Sequence, residues 1–202
     1  PLLSNNNFIQ SIYIIKSKTK LKNFHYEFRS KKGYIIQDIF NRFEIYDEIL
    51  KLLKKVKQKI IIFNQFLLDD KFCMFIRSLN KNIEIEIITN NNFNDFDSAN
   101  FMDTIFNSIQ KKYMETNQKK CYKILQKKNI KLTYFNKQYI HSNYIIIDNK
   151  ICIIKTFNFE ELCCNKSTRT TEQAFICMDN VIINKVKQHI KYALDNEINI
   201  TE

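Results

Sequence analysis

The chain has 202 residues, 45% of them hydrophobic, with a formal net charge of +11 and a pI near 9.3. That length and apolar content suit one sizeable core without a second domain, and the charge favours anionic partners such as nucleic acid, phospholipid head groups or phosphorylated metabolites. Glycine and proline occur once each, as Gly33 and Pro1, which excludes a Walker loop and a Rossmann fingerprint, since both need several glycines.

Residues 1–40 are basic and poor in acid, with Glu27 and Asp38 the only carboxylates, and faintly resemble a transit segment. Phe8 to Ile15 and Tyr34 to Ile39 are nevertheless strand-like, so 1–42 is expected to be a basic N-terminal extension of added or edge strands before a domain over 43–202. The sequence opens on proline, so an upstream segment, anchor or domain is expected to be missing.

From Phe43 the pattern becomes regular. Ile45, Ile49, Leu52, Leu53 and Val56 recur at helical spacing, predicting a helix that ends near Gln58. Lys59 to Phe63 predicts a buried strand. Asp69-Asp70 offers an N-cap to a helix that buries Phe72, Phe75, Ile76 and Leu79. Ile83 to Ile88 alternates as a second strand, and Asn90 to Asp97 is polar enough for a loop. A helix is expected at Phe101 to Ile109 and another at Asn117 to Lys128. Strands are expected at Ile130 to Phe135, Asn143 to Asp148 and Ile151 to Ile154, the last two joined by an Asn149-Lys150 turn. A strand at Gln173 to Met178 and a helix at Val181 to Asn196 close the chain. This alternation predicts an α/β fold, a layered α-β-α sandwich with a mixed central sheet.

Six cysteines, at 73, 121, 152, 163, 164 and 177, lie largely in apolar segments without a C-x-x-C pair or zinc-ligand spacing. They read as reduced core thiols and place the chain in a reducing, intracellular compartment. Cys163-Cys164 reads as two small loop residues, or as a lipidated or membrane-touching pair. No run reaches the roughly 18 apolar residues that a membrane span needs. His25 and His189 have no chemically suggestive neighbours, and His189 is expected to be solvated on the lysine-bearing face of the last helix.

His141 has such neighbours. It precedes the apolar run Tyr144 to Ile147, Asp148 ends that run, and Lys155, Thr156, Asn158 and Glu172 follow. Histidine is able to attack phosphorus while cationic and amide groups hold the phosphoryl oxygens, so this layout suits phosphodiester chemistry.

These residues resemble the signature of the phospholipase D superfamily, H-x-K-x4-D, then G-S-x-N, then a downstream glutamate. His141 takes the histidine position, Asn143 replaces the lysine, and Asp148 falls on the aspartate. Lys155 and Thr156 stand where glycine and serine are usual, Asn158 matches the asparagine and Glu172 the glutamate. The flanks YDEILKLLKKVKQKIIIFNQF and KILQKKNIKLTYF resemble the family's helix-strand units, so the likeness covers roughly residues 43 to 196. With one motif, the layout resembles bacterial nucleases of the superfamily and the mitochondrial cardiolipin hydrolase type.

The resemblance implies a phosphodiesterase working through a phosphohistidine intermediate, with anionic phospholipid or nucleic acid as substrate and no metal or other cofactor. A second motif would come from a homodimer, and peripheral membrane contact and a mitochondrial or membrane-associated location are within its scope. His141 would be the nucleophile and, from the partner subunit, the general acid. Glu172 would fix the imidazole tautomer. Asp148, the remaining member of the histidine motif, would be structural near the strand end. Thr156, Asn158 and the position of Asn143 would contact phosphate, and Lys155 would return the missing cation if it turned toward the site. On the opposite face Lys155 would be a surface lysine, which is the blander and favoured reading. Restoring lysine at position 143 is expected to raise turnover unless Lys155 already fills that role. Two alternatives accompany the enzyme: a catalytically impaired module that only binds anionic lipid or nucleic acid, and the second half of a truncated tandem-motif enzyme resembling cardiolipin synthase. Substrate choice would rest on loops such as Asn90 to Asp97 and Phe159 to Arg169, and the aromatic residues Tyr134, Phe135, Tyr139 and Tyr144 would either stack on bases or pack in the core.

Overall fold

The computed structural model describes residues 24–30, 32–39, 43–91, 101–126, 129–136, 140–159 and 171–199. The strand expected at Phe8 to Ile15, most of both candidate specificity loops, Tyr139 and the Cys163-Cys164 pair lie outside them. Among the described residues, eight strands form one sheet: β1 (Phe24–Ser30), β2 (Gly33–Ile39), β3 (Lys59–Asn64), β4 (Glu84–Asn90), β5 (Ile130–Phe135), β6 (Tyr144–Ile147), β7 (Ile151–Lys155) and β8 (Thr171–Cys177). Their order is β1-β2-β8-β7-β6-β3-β4-β5. Strands β3, β4 and β5 run parallel, because each follows its predecessor through a helix, and the other pairings are antiparallel.

Helices α1 (Phe43–Leu53), α2 (Asp70–Ser78) and α3 (Phe101–Leu125) bury Ile45, Ile49, Phe72, Ile76, Cys121 and Leu125 against one face of the sheet, where Ile60, Ile62, Ile85, Ile87, Ile145 and Ile153 point. Helix α4 (Asn180–Asn199) packs Ile183, Val186 and Ile190 on the other face, against Phe63, Ile88, Ile146 and Cys152. The period-2 alternation of the central strands therefore feeds two cores, as the α-β-α sandwich requires.

Local chemistry sets several boundaries. Asp69 caps α2 as expected, accepting from the N–H groups of Lys71 at 2.9 Å and Phe72 at 3.2 Å. The two helices expected between 101 and 128 are a single helix of 25 residues. The polar stretch between them contains no helix breaker, and Met114, Gln118, Cys121 and Leu125 carry one buried stripe across it. Asn90 is no loop residue but the buried last residue of β4. Strand β2 pairs with β8, and among the described residues β1 forms the sheet edge. Gly33 permits this approach, since a Cβ there would meet the Ile176 carbonyl oxygen at 2.5 Å. The described cysteines, 73, 121, 152 and 177, are free and buried; burial pushes the Cys152 thiol up to about 12.

Helix α1 ends at Leu53, earlier than expected near Gln58, after which Lys55 and Val56 donate to the carbonyls of Leu52 and Leu53 in a tightened last turn. The next amides have another partner. The carboxylate of Asp148 accepts from the N–H groups of Lys57 at 2.9 Å, Gln58 at 2.8 Å and Lys59 at 2.9 Å. This also shifts the β6-β7 turn one residue earlier than expected: Asp148 and Asn149 occupy its centre with φ of 50° and 55°, and Lys150 donates to Ile147 at 2.9 Å. Desolvation works to raise the Asp148 pKa, but the N–H donors of Lys59, Lys57 and Gln58 outweigh it and hold the carboxyl below its ordinary value.

Asp148→Ala should therefore cost about 1–3 kcal/mol in urea denaturation at neutral pH. Because the folded pKa is depressed, this contribution is complete above the unfolded value of about 4 and is lost as pH falls through the lower folded value. Asp148→Asn should accordingly flatten the acid limb of stability against pH; an unchanged limb would contradict the assignment.

Candidate active site

The parallel strands β3 and β4 stop at the same level, and each ends in polar residues that are buried: Asn64-Gln65 and Thr89-Asn90. Buried amides need partners, and these ones draw in distant segments. Asn90 grips Ile140 from both sides, its Nδ2 donating to the Ile140 carbonyl and its Oδ1 accepting from the Ile140 N–H, both at 2.9 Å. The next residue is His141, which is exposed. Two residues on, the buried Asn143 accepts through Oδ1 from the Gln65 N–H at 3.1 Å. The histidine segment is thus pinned across the carboxyl ends of two parallel strands, the usual place for a ligand site in an α/β sheet.

Lys155 is not on the surface. It is 5% exposed, and its backbone N–H donates to the Asn143 carbonyl at 3.1 Å, so Lys155 stands directly across the β6-β7 pair from Asn143. Its Nζ donates to Asn64 Oδ1 at 2.5 Å and to the Phe157 carbonyl, 4.1 Å from the Phe159 ring centre and 4.6 Å from that of Phe157. The expected surface position fails because β7 turns this face toward the three-helix core, where Phe157 and Phe159 cover the stem.

The Thr156 hydroxyl donates to the buried Glu172 carboxylate and accepts from the Gln173 N–H at 3.0 Å. Asn158 Nδ2 donates to Gln65 Oε1 at 3.0 Å. Asn143, Lys155 and Asn158 therefore converge on Asn64-Gln65, with Thr156 and Glu172 paired beside them. Asp148 is not brought to this group. It lies at the other end of β6, in the turn that closes the α1-β3 connection.

The sequence reading missed Asn64, Gln65 and Asn90. The signal was an amide interrupting an apolar strand at its carboxyl end. It also missed His189, which is exposed yet sets its ring edge-on to Phe63 (centres 6.2 Å apart) and Tyr144 (5.8 Å). His189 and His141 line one cavity of about 210 Å³. Of the aromatic residues left open, Phe135 is buried against Phe63, Tyr144 stacks on Phe63, and Tyr134 packs on Tyr122 at 4.7 Å.

A mixed sheet of this order, with a histidine segment pinned at the ends of its parallel strands, defines a phospholipase D-like fold. The chain belongs to that family: the profile of the cardiolipin synthase, phospholipase D-like domain matches residues 49–194. Similar solved structures include NucT from Helicobacter pylori, at 15% identity and TM-score 0.51, covering 86% of this chain and 96% of that one. Another is the phospholipase D family member Nuc from Salmonella typhimurium, at 12% identity and TM-score 0.53, covering 74% and 86%. Phosphatidylserine synthase from Haemophilus influenzae, at 14% identity and TM-score 0.52, is covered over 42% of its length by 88% of this chain. At these identities the likeness is one of fold. No curated protein sequence matches the chain.

Asn90→Ala should cost about 1–3 kcal/mol, the price of two buried hydrogen bonds left without partners. Asn90→Asp should cost more, because a carboxylate would face the Ile140 carbonyl. Equal stability of Asn90→Asp and the parent in urea titrations would rule out this clamp.

Proposed function

We propose that the protein is a phosphodiesterase in which His141 attacks the phosphorus of a phospholipid or nucleic-acid diester. The observation that carries this reading is the convergence of Asn143, Lys155 and Asn158 on Asn64-Gln65, next to the pinned His141 and the Thr156-Glu172 pair. In the first step an imidazole nitrogen forms the P–N bond as the P–O bond to the leaving group breaks. The partner subunit's His141 gives that oxygen its proton, which completes the site across a homodimer. Water then cleaves the P–N bond and returns the histidine. Glu172 orients the imidazole, held in turn by the Thr156 hydroxyl, and Asn158 faces the phosphoryl oxygens.

Lys155 supplies the cation in this scheme. It occupies the strand position beside Asn143 and shares its face of the sheet, so an ammonium is already present where position 143 would otherwise provide one. The gain first expected for Asn143→Lys is thereby withdrawn, since a second ammonium would sit against the first and displace the Gln65 contact.

Hydrolysis of bis(p-nitrophenyl) phosphate is the direct assay. His141→Ala should abolish it, and Lys155→Met, which keeps the buried stem, should lower the rate by about 10² to 10³. Asn143→Lys alone should bring no increase. Activity that survives His141→Ala would sink the mechanism, and a protein that binds diesters without turning them over would be the impaired binding module instead.

A further inference from the structure

The cavity at His141 opens on the α4 side of the sheet, away from Lys155. Phe63, Phe135, Ile140, His141, His189 and Tyr192 contribute to its walls, with Ser142 and Asn196 as further polar groups. Phe63 and Phe135 are fully buried and form its floor, whereas Tyr192 is 68% exposed at its rim. A phenol kept so open beside an aromatic recess is not there for core packing.

The lining decides what fits. At about 210 Å³ the recess is smaller than the several hundred Å³ of a site for a drug-sized ligand. It suits one planar ring rather than an acyl chain, which asks for a continuous aliphatic groove. Aromatic walls offer stacking, while the serine hydroxyl, the imidazoles and the amide offer hydrogen bonds to a ring edge. On the same side of α4 as His189, Lys185 is exposed one turn earlier. A cationic group beside an exposed aromatic ring is the usual element of a platform for single-stranded nucleic acid.

We propose that this recess is a nucleobase pocket, which takes one base of a single-stranded nucleic acid while Lys185 holds a flanking phosphate. The assignment rests on the phosphodiesterase reading only for placing the scissile phosphate at His141, and it selects nucleic acid over lipid as the substrate.

Binding, not turnover, tests it. The anisotropy of a fluorescein-labelled short oligothymidylate is measured with the full chain, beside the same strand made abasic at its centre. Tyr192→Ala should weaken the normal strand about tenfold, within the range for one lost base stack. Tyr192→Phe should restore it, and the abasic strand should bind weakly and not respond to either variant. Lys185→Glu should weaken both strands and flatten the dependence on salt. Equal affinity for the two strands, or indifference of the normal strand to Tyr192→Ala, overturns the pocket. So does a loss of binding to cardiolipin vesicles on Tyr192→Ala with DNA binding intact, which would make the recess a lipid site. A chain that binds as expected yet leaves bis(p-nitrophenyl) phosphate intact would refute the phosphodiesterase reading and leave the pocket standing.

Discussion

Everything at the candidate site depends on the buried amides at the carboxyl ends of β3 and β4. Asn64, Gln65, Thr89 and Asn90 are all withdrawn from water, and leaving such groups without partners would cost more than an ordinary hydrogen bond contributes. Their partners come from residues 140, 143, 155 and 158, fifty to more than ninety positions away in the chain. The need to satisfy one row of amides thus gathers the histidine segment, the buried lysine and the downstream asparagine into one place. Backbone bonds from Leu68 and Asp69 to the Phe159 carbonyl, at 2.7 and 2.9 Å, fasten the same region from the other side.

Within this frame the charge is placed with care. The Lys155 ammonium is buried, and the neutral oxygens of Asn64 and Phe157 together with two aromatic faces receive it. Its burial and these contacts leave the charge fixed in position and little screened by water. A lysine on a flexible exposed stem would offer the same formal charge with neither property. Asn143 follows from this arrangement. Lying across the strand pair from Lys155, it brings an amide that accepts from the Gln65 N–H and adds no second positive charge.

The fold was legible where periodicity was strong. The runs at β3, β4 and β5 and the apolar faces of α1, α2 and α4 follow directly from spacing, and Asp69 signals its helix start through a cap that needs only neighbouring residues. What escaped was long-range. The end of α1 depends on Asp148, some ninety residues later, which claims the amides that would have continued the helix. Lys155 looks like a surface lysine in sequence, because nothing local reveals that Phe157 and Phe159 fold back over its stem. The His141 motif was readable by resemblance, but its supporting amides in β3 and β4 were hidden, since a single asparagine after an apolar run is commonplace. His189 and Tyr192 were hidden for the same reason: their meaning comes only from the sheet face on which α4 lands.

That landing has a chemical consequence. Residues 143, 155 and 172 point to the three-helix face of the sheet, in step with Ile145, Ile153 and Ala174, whereas Phe63, Phe135 and Tyr144 point to the α4 face. His141 precedes β6, just where the sheet ends and the two faces meet. In the proposed reaction the groups assigned to the phosphoryl unit would therefore stand on one side of the histidine, and those assigned to what is attached to it on the other. In such a division the phosphate-handling side is bound by the amide row and has little freedom to vary. The α4 side is a helix surface whose exposed residues are replaceable without disturbing that row. On the proposed function, a fold built this way would keep one reaction at the phosphorus while its second face is altered for another class of diester. In this chain that face carries aromatic rings and the exposed Lys185 rather than an aliphatic groove.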